Sequence, residues 1–123
     1  MIFIIGGEFS GKSEYVKSNF KADITDGAKV SFDELQNAAA VKNFHLLVKK
    51  QIENGFDIQS ETDWLLNVNP NIIIISNEVG CGVVPLEKAD RKYREAVGRL
   101  NCYLAKRAER VIRVVCGIGQ IIK

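Results

Sequence analysis

Apolar positions follow two rhythms along the chain. Met1 to Ile5 is a short unbroken apolar run, as expected of a strand buried on both faces. Asn71 to Ser76 (NIIIIS) is a second such run, rich in β-branched residues and bounded by turn formers. Lys12 to Phe20 reads as a helix, and Lys21 to Gly27 (KADITDG) as a weak strand or turn. Ser31 and Glu34 have the S-x-x-E spacing of a capping box, which predicts a long helix running to about Asn54 and ended by Gly55. Ser60 with Asp63 predicts the start of a shorter helix holding Trp64, Leu65 and Leu66, stopped near Pro70. Asn77 to Pro85 (NEVGCGVVP) is a glycine-containing loop leaving the second apolar run. From about Glu87 to Glu109, Tyr93, Ala96, Val97, Leu100, Leu104 and Ala108 recur at helical spacing. Arg110 to Gly117 predicts another strand, and QIIK at residues 120–123 a short last one.

Strands alternating with helices predict an α/β fold, a mainly parallel sheet flanked by helices. No repeat, low-complexity stretch or linker interrupts it, so residues 1–123 read as one nucleotide-binding domain.

Composition narrows the setting. Hydrophobic residues at 46% and charged residues at 26% suit a soluble globular protein. A net charge of +2 gives no reason to expect nucleic acid or an acidic membrane as partner. No apolar run approaches the roughly 18 residues of a membrane span, so no membrane insertion is expected. Cys81, Cys102 and Cys116 are odd in number and lack CxxC spacing, so they read as reduced thiols. A cytoplasmic location is expected.

The chemistry is concentrated in Gly6-x-x-x-x-Gly11-Lys12-Ser13, which fits the phosphate-loop pattern G-x-x-x-x-G-K-[ST]. It leaves a predicted strand and opens a predicted helix, as the mechanism requires. Glycines let backbone N–H groups converge on phosphate oxygens, and the helix N-terminus adds positive potential. Gly6, Gly7, Glu8, Phe9, Ser10, Gly11, Lys12 and Ser13 therefore form the expected nucleotide site for ATP or GTP. Lys12 reaches the β/γ-phosphates and Ser13 holds Mg²⁺ in this reading. A carboxylate at a strand's end is the usual second partner of the metal. Glu78 follows the NIIIIS strand and is a candidate for that role and for positioning or deprotonating an acceptor hydroxyl. Asp23 and Asp26, in the weak second strand, are the alternatives.

These residues carry a family resemblance. Asn77, Glu78, Val79, Gly80, Gly82, Val83, Val84 and Pro85, then Arg94, Gly98, Arg99, Asn101, Leu104 and Ala105, have the spacing of the adenosylcobinamide kinase / adenosylcobinamide-phosphate guanylyltransferase family. GGEFSGKS at residues 6–13 is similar to that family's phosphate loop. The resemblance implies a RecA-like P-loop fold and a role in cobalamin biosynthesis. It implies phosphorylation of adenosylcobinamide by a nucleoside triphosphate, GMP transfer through a guanylylated histidine, and a homo-oligomer. It also implies substrate or phosphate contacts for Asn77, Arg94 and Arg99, alongside the open readings of a solvated or subunit-facing helix surface.

The resemblance covers about the first 20 and last 50 residues. Between Phe20 and Asn71 no Ala-Thr turn or H-x-x-x-R-P-like segment is found, so the chain reads as a shortened member lacking the guanylylated-histidine segment. The single histidine, His45, shares a helical face with Val41, Val48 and Ile52 and reads as a core or boundary residue. Another small-molecule P-loop kinase, or a non-catalytic nucleotide- or corrinoid-binding paralogue, are the alternatives. Gly98 is expected to permit a close approach to its helix, Trp64 to anchor the core, and Cys81 to be a small filler.

Overall fold

Two apolar runs far apart in sequence lie side by side. The computed structural model describes residues 1–78 and 88–123, and in it β1 (Ile2–Gly6) pairs in parallel with β4 (Ile73–Asn77). On its other side β1 pairs in parallel with β5 (Arg110–Val115). β2 (Ile24–Asp26) and β3 (Ala40–Lys42) extend the sheet beyond β4, and β6 (Ile118–Ile121) closes the opposite edge antiparallel to β5. The order is β2-β3-β4-β1-β5-β6. The register Gly6↔Asn77 brings the C-terminal ends of β1 and β4 level, so the segments leaving them emerge together. Ligands of open α/β sheets bind along that edge.

Strand alternation divides the core between the two faces. Ile4, Ile73, Ile75, Ile112 and Val114 point to one face, where Val16 of α1 (Lys12–Phe20) covers them. Phe3, Val41, Ile74 and Val111 point to the other. There they meet Leu47 and Val48 of α2 (Phe44–Glu53), Leu65 and Leu66 of α3 (Ile58–Val68), and Val97, Leu100 and Leu104 of α4 (Lys88–Arg107). Phe32 and Phe44 add an edge-to-face contact with ring centres 5.7 Å apart. Large side chains buried this way contribute roughly 1.5–3 kcal/mol each, which makes this helix-covered face the larger source of stability. The outer hairpin differs: Val115, Ile118, Ile121 and Ile122 remain exposed.

The long helix expected from Ser31 to Asn54 does not form. Phe32–Leu35 is a single 3₁₀ turn, Ser31 makes no side-chain cap, and Ala40–Lys42 is β3. Ala40 and Val41 are both fully buried between neighbouring strands, so sheet pairing overrides alanine's helical preference. Asn43, at φ 56°, then turns the chain from β3 into α2 in a left-handed conformation that Asn tolerates. α3 starts earlier than expected. Asp57 caps it, accepting from Gln59 N–H at 3.1 Å, and Ser60 Oγ donates to the same carboxylate at 2.9 Å. Trp64 lies on the outer side of α3, 36% exposed, and so is no core anchor. The glycine-containing loop after Glu78, with Cys81, falls outside the described residues.

Two glycines give opposite expectations. A Cβ on Gly6 would sit 2.5 Å from the Val114 carbonyl oxygen and 2.7 Å from Ser10 Oγ. At Gly98, where a close approach was expected, a Cβ would meet no atom within 4 Å among the described residues. Gly6→Ala is therefore expected to lose about 1–3 kcal/mol through overpacking, and Gly98→Ala to gain about 1 kcal/mol through helix propensity. Urea unfolding of both variants checks the pair; a stable Gly6→Ala variant contradicts it.

Candidate functional site

The chain leaving Gly6 has little freedom. The Gly6 carbonyl accepts from Glu78 N–H at 2.9 Å, and the Ser10 carbonyl accepts from Gly117 N–H at 2.7 Å. The loop is thereby held between the end of β4 and the β5–β6 turn. Gly11 has φ 87°, and a Cβ there would approach Gly117 Cα to 3.0 Å, so only glycine fits without displacement. Phe9, 96% exposed at the loop tip, also has positive φ (58°), a strained conformation for a bulky residue. Ser10 Oγ is buried within the loop and has no hydrogen-bond partner.

Lys12 is the first residue of α1 and is 8% exposed. Its Nζ donates to the Gly7 carbonyl at 2.6 Å and to the Gly6 carbonyl at 3.3 Å, arching back over the loop. Burial lowers its pKa, opposed by the Glu78 and Glu8 carboxylates. Beside Lys12 opens a cavity of about 420 Å³. The loop and Ser13 form one wall of it; the ends of β3 and β4 supply Lys42, Asn43, Ile75 and Asn77; and α2 supplies His45 and Leu46. Glu8 and Glu14 complete the rim. This cavity gathers the expected residues Glu8, Phe9, Ser10, Gly11, Lys12, Ser13 and Asn77 in one place.

Glu78 lies on the other flank of the loop. Arg113 grips its carboxylate, Nε to Oε1 at 2.7 Å and a terminal guanidinium nitrogen to Oε2 at 3.3 Å. Both line a second cavity of about 410 Å³ together with Gly7, Phe9 and Val115. Asp23 is corrected by strand direction. It precedes β2, whereas the phosphate loop follows the C-terminal end of a parallel strand, so Asp23 is exposed at the far edge of the sheet. Asp26 ends β2 on the correct edge, but its Oδ1 accepts from Asn43 Nδ2 at 2.9 Å and Ala28 N–H at 3.0 Å. The Asn43 hydrogen bond is the main reason its pKa is lowered. Of the helix cations, Arg94 is half-buried and Arg99 exposed, and their spacing sends them to different faces of α4. Asn101, two turns beyond Arg94, reaches the Asn77 carbonyl at 3.5 Å.

Among the described residues no group of three carboxylate, histidine or cysteine side chains could hold a metal alone. Mg²⁺ bound with a nucleotide takes most of its ligands from phosphates and water. Ser13, whose side chain is partly exposed in the Lys12 cavity, would be the residue here to offer such an ion its hydroxyl.

His45 is the residue whose place sequence reasoning missed. It is 7% exposed, yet it lines the cavity instead of the core, and its Nδ1 accepts from Asn77 N–H at 3.4 Å. Lys42 and Asn43 were missed for the same reason, because the expected long helix hid the end of β3. Arg113 was missed as well: the run RVIRVV predicts a strand without singling out this residue.

The sequence pattern described as cobinamide kinase / cobinamide phosphate guanyltransferase matches residues 25–122. That span includes the middle segment left without a counterpart by residue-level resemblance, and it begins beyond the phosphate loop. The chain is also 44% identical over 52 residues to "Bifunctional adenosylcobalamin biosynthesis protein CobU" of Salmonella typhimurium and to the protein of the same name from Escherichia coli. It matches "Bifunctional adenosylcobalamin biosynthesis protein CobP" of Pseudomonas aeruginosa at 44% over 52 residues. These matches cover 42% of this chain but only 29–30% of each relative. No helix among the described residues is long and apolar enough to cross a membrane.

The imidazole gives a pH prediction. Burial first, and the Lys12 charge second, lower the His45 pKa from 6.5 to about 4. Between those values the unfolded chain binds a proton that the folded chain does not, so acidification favours unfolding. Stability is expected to fall by about 3 kcal/mol as pH drops from about 6.5 to about 4, before the Asp26 contribution is lost at lower pH. His45→Gln removes this slope. Denaturant melts across the window measure it, and an unchanged slope in the variant contradicts the assignment.

Proposed function

The chain belongs to the cobinamide kinase / cobinamide phosphate guanyltransferase family, and from that premise we propose that it phosphorylates adenosylcobinamide with ATP or GTP in adenosylcobalamin biosynthesis. The observation that carries this reading is the clamped loop whose Lys12 and Ser13 open α1 on the cavity at the ends of β3 and β4. Phosphoryl transfer asks mainly for positioning and charge stabilisation, and this loop supplies both. Lys12 exchanges its two loop carbonyls for the oxygens of the transferred phosphoryl group. The amides opening α1 bind the remaining phosphate oxygens. Ser13 would hold Mg²⁺, which would supply charge neutralisation to the nucleotide phosphates.

Glu78, fixed by Arg113, is the carboxylate assigned to orient the acceptor hydroxyl from the far flank of the loop. The tail of the corrinoid then approaches across Phe9, while Asn77 at the end of β4 and Arg94 on α4 contact phosphate or substrate. Phosphoryl transfer alone is assigned, because His45 is the only histidine in this sequence and its Nδ1 lone pair is engaged by Asn77 N–H, which does not suit it to carry a nucleotidyl group.

Incubation with adenosylcobinamide, Mg²⁺ and γ-labelled ATP or GTP in separate arms tests the proposal. Label is expected in a phosphorylated corrinoid, with the rate reduced at least about a hundredfold in Lys12→Ala. Nucleotide binding without a labelled product indicates a non-catalytic protein. Turnover stimulated by another alcohol and not by cobinamide indicates a different kinase.

A further inference from the structure

His45 meets the Lys12 cavity with a defined chemical face. Its backbone is tied to α4, where the Tyr93 hydroxyl donates to the His45 carbonyl at 3.1 Å. Its ring is oriented by Asn77, whose backbone N–H points at Nδ1 at 3.4 Å. A backbone N–H can only donate, so Nδ1 must keep its lone pair, and the neutral ring carries its proton on Nε2. Protonating Nδ1 would set two donors against each other inside a 7%-exposed site beside the Lys12 ammonium. His45 lines the cavity, and with Nδ1 engaged by Asn77, Nε2 is the ring nitrogen left for a ligand there.

The geometry points to His45 as a neutral hydrogen-bond donor that presents Nε2–H to a phosphate oxygen of the nucleotide, and not as a nucleophile or general base. Nucleophilic attack needs a ring lone pair aimed at phosphorus. The one at Nδ1 is directed to Asn77 N–H, and Nε2 has none to offer in this tautomer. A neutral donor also suits its surroundings. Lys12 and Lys42 already bring two cations to the cavity, and an imidazolium would be repelled by both. Asn77 thereby acquires a definite role as a positioning residue. Its N–H fixes the histidine tautomer, and its own carbonyl is held by Asn101.

This inference rests on the reading of the loop as a nucleotide site, and the test separates the two. With a single histidine in the sequence, ¹⁵N-histidine labelling gives one imidazole spin system. At pH 7 the free protein is expected to show protonated Nε2 and unprotonated Nδ1. The β,γ-imido analogue of ATP or GTP with Mg²⁺ should then shift Nε2 and its proton. His45→Phe should weaken binding of that analogue roughly tenfold, the loss of one hydrogen bond to a charged group, while His45→Gln, which keeps a donor, stays within about threefold. An Nδ1–H tautomer, an imidazolium at pH 7, or stable label on His45 after incubation with α-labelled GTP would overturn the inference. So would analogue binding that depends on Lys12 but leaves Nε2 unmoved. If the analogue binds neither wild type nor Lys12→Ala, or both equally, the nucleotide reading of the loop fails first and this inference with it.

Discussion

The site depends on a backbone clamp. Gly6 O is held by Glu78 N–H and Ser10 O by Gly117 N–H, so the loop between them is fixed at both ends by segments distant in sequence. Three glycines at or beside the clamp leave room for it. Gly6 lies against the Val114 carbonyl, Gly11 against Gly117, and Gly119 beneath the Tyr15 ring of α1, where a Cβ would fall 2.3 Å from ring atoms. A ligand binding here would cost little ordering of the loop, because its two ends are already fixed and Phe9 is already held in its strained conformation. A cation is likewise in place, with Lys12 Nζ on the Gly7 and Gly6 carbonyl oxygens at 2.6 and 3.3 Å.

Two cavities flank the clamped loop, and their chemistry differs. On the α2 side, Lys12, Lys42, Asn43 and His45 present cations and amide or imidazole groups, the chemistry of a polyphosphate. On the β5 side, Phe9 and Val115 accompany the Glu78–Arg113 pair, a more apolar surface with one fixed carboxylate. On the proposed reading, each cavity would give one reactant its own approach to the loop. The family match covers residues 25–122, which include β3, β4, α2 and β5 but not the loop itself.

The parts legible in the sequence are those set by local rules. β1, α1 and β4 follow from unbroken apolar runs and from a motif whose glycines, lysine and serine have fixed positions. β3 was not legible. Three residues with an alanine-rich lead-in carry no strand signal of their own, and Ala40 and Val41 become a strand only because β2 and β4 lie on either side. That one error displaced Lys42, Asn43 and His45 from the site, so His45 was read only as a core or boundary residue of a long helix. The choice between Asp23 and Asp26 turned on strand direction, which a three-residue element does not reveal. The Glu78–Arg113 pair depends on β4 and β5 both flanking β1, a fact of topology with no trace in either segment.

A crystal structure with Mg²⁺ and a β,γ-imido nucleoside triphosphate tests the central claim most directly. The account predicts triphosphate over the amides of Gly11, Lys12 and Ser13, with Lys12 Nζ moved from the Gly6 and Gly7 carbonyls onto a phosphate oxygen and Ser13 Oγ on the metal. Phosphates bound elsewhere, with Lys12 still resting on those carbonyls, would contradict it.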